Sequence, residues 1–184
     1  PTHVWYVAIE NRAMGENFAK LGWQGGQIAC ARIGDIPVAL EALGAATGHR
    51  AEAHALAATL QEGFEVRRAA AQQRTHRPTV LVVLAWEPLL TVGGHSFIAD
   101  IVELAGGELI TANFPREYFT VSEEWVLKQN PQVIVCLDGM VATAAIKKLR
   151  QRLGWKLLPA VTEDRVYDQF DLDIMCRPGP RILQ

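Results

Sequence analysis

From residue 35 to about 74 the apolar residues recur at helical intervals, whereas from residue 79 they gather in short unbroken runs. "DIPVALEALGAATGHR" (35–50) starts with an acid and carries Pro37 in its first turn. Its apolar stripe through Val38, Leu40, Ala42 and Leu43 predicts a helix that Gly48 stops. A longer helix is expected from Ala51 to about Arg74, a segment rich in the strong helix formers Ala, Glu, Gln and Arg. At the helical rise it spans roughly 35 Å, the width of a small domain. Its modest apolar face (Ala53, Leu56, Ala57, Leu60, Phe64) and polar flanks suit a helix lying along a surface or bridging two lobes. Ahead of these, "HVWYVAIE" (3–10) predicts a strand and "AMGENFAKLGW" (13–23) a helix with Gly22 near its end.

"TVLVVLAW" (79–86) is continuous, apolar and β-branched, the pattern of a strand buried on both faces of a parallel sheet. "QVIVCL" (132–137) is a second such strand. "VSEEWVLKQN" (121–130) predicts a short helix stopped by Pro131, and "MVATAAIKKLRQRLG" (140–154) another helix. "KLLPAVTEDRVYDQ" (156–169) predicts short strand-like pieces around a turn. Strand and helix alternate, so the expected class is α/β: a Rossmann-like lobe with a mainly parallel sheet, attached to a long connecting helix.

The segment "GGHSFIADIVELAGG" (93–107) sets a nine-residue apolar-rich stretch between two glycine pairs. A dinucleotide fingerprint needs its glycines directly after the strand, and a P-loop needs a GKS or GKT; neither spacing occurs. Ser96 stands where an N-cap hydroxyl belongs, and Phe97, Ile98, Ile101, Val102 and Ala105 form one helical face with Asp100 and Glu103 off it. Gly106 or Gly107 supplies the left-handed stop. The glycines are read as helix punctuation. A ligand-holding role for the Gly93–Gly94 loop stays open, because loops at the carboxyl ends of parallel strands are where such sheets bind.

Charge changes this picture little: with 184 residues and a formal net charge of −2, no nucleic-acid or anionic-membrane partner is expected. The basic run at 67–77 reads as a solvated helix end. Cys30, Cys136 and Cys176 show no CxxC spacing, so neither a zinc site nor any other metal or cofactor is expected, and Cys136 reads as a buried small hydrophobe. No apolar stretch reaches the roughly 18 residues of a membrane-spanning helix. The first ten residues show no signal-peptide pattern, which leaves localisation open.

Catalytic candidates are few. His95 has no nucleophile signature near it. Asp138, after a buried strand in "CLDGM", fits a catalytic acid or an Asp-Gly turn. Asp171 and Asp173 in "FDLD" fall short of a cation site. Trp86, Phe114, Tyr118, Phe119 and Phe170 are expected in loops or just after strands, outside the element cores, which suits a broad flat ligand or covers the core's ends.

The order of five motifs is more specific: "ALEALGAATGHRAEA", a long helix, "GGHSFIADIVELAGGELI", "VSEEWVLKQNPQVIVCLDG" and "VYDQFDLDIMCRPGPRIL". Over residues 34–184 this resembles the helical-backbone (class III) periplasmic substrate-binding proteins of ABC importers for ferric siderophores, haem or cobalamin. The resemblance implies two α/β lobes joined by one rigid helix, with a metal chelate or corrinoid held between them and delivered to the permease subunits without bond making. It implies a periplasmic or extracytoplasmic location, membrane-associated through the transporter. Glu124 matches the family's docking acid, and Trp86, Leu90, Tyr118, Phe119, Phe170 and Asp173 fall where cleft loops contact ligand. Tyr118 and His95 are the local candidates for a haem axial ligand.

In domain terms the resemblance implies a remnant of the N-terminal lobe (1–33), a connecting helical segment (34–77) and a C-terminal α/β lobe (78–184). "ENFAKLGWQGGQIA" resembles an early family segment but runs straight into "CARIGDIP". The expectation is therefore a truncated member, missing half the cleft and one docking acid, with exposed apolar surface that favours a homodimer. Two other readings stand beside it: a doubly wound enzyme acting on a nucleotide or phosphorylated substrate through the 93–96 loop and Asp138, and a dimerising structural domain.

Overall fold

A computed structural model describes residues 3–7, 12–139 and 144–184. The chain opens with β1 (His3–Val7), α1 (Arg12–Lys20) and β2 (Gln24–Ile28), and the two strands pair in parallel. Residues 8–10 of the expected first strand lie outside the described residues. The helical period then yields α2 (Asp35–Thr47) and α3 (Arg50–Gln72), parted at Gly48, whose φ of 80° is the left-handed stop. The α2 stripe is rotated from the expected one: Ile36 and Gly44 are buried, Leu40 half-buried between them, and Val38 is 66% exposed. On α3 the buried line is Ala57, Leu60, Phe64 and Ala71, with Leu56 left outside it.

Then follow β3 (Thr79–Val83), β4 (Ala85–Trp86), β5 (Leu89–Val92), α4 (Phe97–Leu104), β6 (Glu108–Leu109), β7 (Tyr118–Thr120), α5 (Glu123–Gln129), β8 (Val133–Cys136), α6 (Ala144–Gln151), α7 (Pro159–Thr162), β9 (Val166–Tyr167) and α8 (Leu172–Met175). A four-stranded parallel sheet has the order β6-β3-β8-β9, and β4, β5 and β7 form a small antiparallel one. β3 is central and buried on both faces, as its unbroken apolar run requires. Val80 and Val82 enter a core with α3 and α4 (Leu60, Phe64, Phe97, Ile98), while Leu81 and Val83 enter a second core with Val126, Leu149 and Trp155. Each of these side chains contributes roughly 1.5–3 kcal/mol on burial, which makes β3 the anchor of both layers.

Two expectations are corrected. The strand read through 79–86 ends at Val83; the Leu84 N–H donates to the Leu90 carbonyl at 2.9 Å, and the chain turns into a β4–β5 hairpin around a cis Glu87–Pro88 bond. Of residues 156–169, expected as strand-like pieces around a turn, Val166–Tyr167 is strand β9, but the first part belongs to a short 3-10 turn (Trp155–Leu157) and α7, with Pro159 at a helix start where its missing N–H costs nothing. Helix α5 closes at Asn130, left-handed with φ 51°, one residue before Pro131. Of the helix expected over 140–154, residues 140–143 lie outside the described residues, and α6 ends at Gln151, three residues short of Gly154.

Candidate functional site

The carboxyl ends of β3, β8 and β9 open into the segments starting at Leu84, Leu137 and Asp168. Two of these meet: a Cβ on Gly139 would lie 3.6 Å from Leu172 Cδ1 at the start of α8. The antiparallel sheet stands beside them, and its pairing sorts the expected ligand contacts. Leu90 pairs with Thr120 and Val92 with Tyr118, so Leu90 and Tyr118 share one face. Tyr118 and Phe170 both pack against the α3–α4 core. Alternation sends Phe119 to the opposite face, stacked on Phe114 (4.7 Å between centroids), which in turn meets Trp125 edge-on at 5.7 Å. Trp86 is the clear departure. It lies in β4 with 7% exposure, edge-on to Trp155 at 5.8 Å and beneath the Arg152 guanidinium at 5.2 Å. It is a core residue rather than a loop aromatic.

Asp173 is paired with Arg177 at 3.0 Å, and the Asp171 carboxylate accepts from the Asp173 N–H at 2.9 Å, capping α8. Among the described residues no group of three or more His, Cys, Asp or Glu could hold a metal. Asp138 sits in the loop after β8 beside Gly139, whose φ of 72° suits the Asp-Gly turn. Burial pushes the Cys136 thiol up to about 12, with Asp138 and Asp168 adding to the shift.

The Gly93–Gly94 pair is not a phosphate cradle. Ser96 does cap α4, accepting from the Ala99 N–H at 3.2 Å, and Gly106 is left-handed at φ 83°. Gly93 and Gly94 serve close approach: a Cβ would meet the Arg116 oxygen at 2.2 Å and the Ala112 oxygen at 2.0 Å. The loop is backed by protein, with Gly94 N–H donating to the Phe114 carbonyl at 3.0 Å. His95 is exposed beside it.

Two neighbouring acids divide their tasks at the start of α5. Ser122 caps the helix by accepting from the Trp125 N–H at 3.2 Å. Glu123 turns inward to Arg152 and to Trp155 Nε1, which donates at 2.7 Å. Glu124 points to solvent, its carboxyl held below the usual range by its own backbone N–H and the Ser122 hydroxyl. Sequence reasoning missed the Glu123–Arg152–Trp155 group, because 29 to 32 residues separate the partners and no local pattern marks them. It also placed Asp100 off the buried face, whereas Asp100 is 6% exposed and bound to Arg32.

A family model described as periplasmic binding protein matches residues 15–169. The chain belongs to the periplasmic binding protein family. This is a family of transport proteins that bind rather than catalyse. The high-affinity heme uptake system protein IsdE of Staphylococcus aureus is 29% identical over 174 residues, covering 91% of this chain and 59% of that protein. YvrC of Bacillus subtilis, an uncharacterized ABC transporter substrate-binding lipoprotein, is 26% identical over 148 residues, covering 79% of this chain and 45% of that one. The chain thus spans about half the length of these relatives. Among solved structures, the periplasmic heme-binding protein RhuT from Roseiflexus sp. RS-1, in apo form, superposes with a TM-score of 0.87 at 20% identity, over all of this chain and 72% of that one. The periplasmic vitamin B12 binding protein BtuF of Vibrio cholerae gives 0.76 at 24% identity, over all of this chain and 70% of its own. These likenesses establish the fold. Among the described residues no helix is long and apolar enough to cross a membrane.

Proposed function

We propose that this periplasmic binding protein chain binds haem, a cobalamin or a ferric siderophore and presents it to the permease of an ABC importer. The observation that carries the reading is the family match over 15–169, reinforced by relatives whose names speak of heme and vitamin B12. In this reading the division is 1–33, 34–77 and 78–184, with α3 as the stiff connector; the roughly 35 Å length of such a helix supports it. The protein acts outside the cytoplasm, where its lipoprotein relative also points.

The ligand contacts are Leu90 and Tyr118, which share one face of the antiparallel sheet, and Phe170, which packs with Tyr118 against the α3–α4 core. Half-buried apolar side chains of this kind offer a flat macrocycle dispersion contact without a covalent step. Phe119 and the buried Trp86 lie on the opposite face of the sheet, and Asp173, held by Arg177, completes the set. Glu124 docks on the permease: it is exposed and ionised, on a helix start whose partner Glu123 is fastened to the core.

The test is equilibrium dialysis of the folded chain against haemin, cyanocobalamin and ferrichrome, read by visible absorption. Retained colour with one of them at micromolar concentration, weakened at least ten-fold by Tyr118→Ala, supports the reading and selects the ligand class. Glu124→Ala should leave that affinity unchanged and lower ligand transfer to the cognate permease. Folded protein that retains none of the three overturns the reading for this chain.

A further inference from the structure

β1, α1 and β2 pack chiefly on one another, and the chain leaves them through residues 29–34. That crossing segment sinks Cys30 and Ile33 into the α3–α4 core, where Ile28 at the end of β2 and Ile36 at the start of α2 also pack. Beside them Arg32 reaches across to α4, 68 residues on. Its Nε donates to Asp100 Oδ2 at 2.9 Å and its Nη2 to Asp100 Oδ1, a two-pronged fork. The Ile33 N–H donates to the same Asp100 Oδ2 at 2.9 Å, and Arg32 Nη1 to the Gly94 carbonyl at 3.3 Å. The Arg32 N–H is taken by Asp35 at 2.9 Å. One side chain therefore ties the crossing segment, the Gly93–Gly94 loop and α4 together.

The two partners differ in a telling way. Asp100 is 6% exposed, while the Arg32 side chain is 47% exposed and lies between two surface hollows of about 330 and 240 Å³. A buried carboxylate cannot fall back on water when its cation leaves, so it holds Arg32 and the Ile33 N–H in one geometry or releases both. The apolar contacts of Cys30, Ile33 and Ile36 have no such register of their own.

We propose that Arg32 and Asp100 form a latch that clasps the β1–α1–β2 unit to α4 and the Gly93–Gly94 loop, and that its release frees this unit as a body while the four-stranded sheet stays folded. The hinge is residues 29–34. The latch stands on these contacts alone and does not depend on which ligand the protein carries.

Hydrogen exchange read by mass spectrometry on the whole chain tests it. Arg32→Ala should speed exchange in peptides covering 24–34 at least ten-fold, with β3 and β8 unchanged. Arg32→Lys, a point charge without the fork, should lie between. Added guanidinium at millimolar concentration, which can enter through the hollows, should restore protection in Arg32→Ala, and sodium chloride at equal strength should not. Unchanged exchange over 24–34, or an equal rise across all peptides, overturns the latch. Should Arg32→Ala fail to fold, the wild-type chain decides, since a half-exposed guanidinium is open to screening. Raising salt then speeds exchange over 24–34 selectively if the latch holds; a uniform or absent response overturns it.

Discussion

Replacing Gly94 by alanine tests the close approach between the 93–96 and 112–116 loops. The added Cβ would stand 2.0 Å from the Ala112 carbonyl oxygen and 2.9 Å from its carbon. Comfortable separation of such atoms is about 3.5 Å, so the two backbones must part by more than about 1 Å. Neither partner is the loose end of a side chain. The Gly93 N–H donates to Glu117 at 2.9 Å, the Gly94 N–H to Phe114 at 3.0 Å, and the Thr111 hydroxyl to Val92 at 2.6 Å. Overpacking of this kind costs about 1–3 kcal/mol, and stretching the Gly94–Phe114 bond adds about 1 kcal/mol. At about 2–4 °C per kcal/mol for a chain of this size, Tm should fall by roughly 4–16 °C. Far-UV circular dichroism during heating measures it. Gly34→Ala is the control: Gly34 has φ −65° and nothing within 4 Å of its Cβ position, so that variant should be neutral or slightly more stable. A Gly94→Ala midpoint within about one degree of the wild type would refute the contact and reopen this loop as a place for ligand.

Trp155 is fully buried, edge-on to Trp86 and bonded to Glu123, so Trp155→Ala should cost about 3–5 kcal/mol in urea unfolding; a loss below about 1 kcal/mol contradicts that packing. The Cys136 thiol, raised from 9.0 to about 12, should resist iodoacetamide in the folded protein while the half-buried Cys176 reacts first. The same shift fixes a sign. Folding favours the protonated thiol, so its contribution is complete below pH 9.0 and declines as pH rises toward about 12. Urea midpoints across that range should fall less steeply in Cys136→Ala than in the wild type; equal slopes would contradict the burial argument.

Where one element decides its own pattern, the sequence was legible. The α3 helix, the N-cap at Ser96, the left-handed stops at Gly48 and Gly106, and the doubly buried β3 and β8 all follow from spacing and side-chain chemistry within a dozen residues. Glu124 was legible as the acid at the family's docking position, but not as the exposed member of the Glu123–Glu124 pair. The candidate ligand face was less so. Periodicity can say that Tyr118 and Phe119 are aromatic neighbours, but only the register with β5 assigns them to opposite faces. Trp86 looked like a loop residue until the Leu84–Leu90 hydrogen bond folded its strand back over Trp155.

The sequence by itself determined the α/β class, the long helix, the central strands and the family, because these rest on local periodicity and on motifs in order along the chain. The tertiary structure decided which of two adjacent glutamates faces water, which aromatics share a face, why Gly93 and Gly94 must be small, and that Arg32 meets a buried Asp100. Those depend on partners tens of residues apart, and no short-range pattern carries the geometry that brings them within hydrogen-bonding reach.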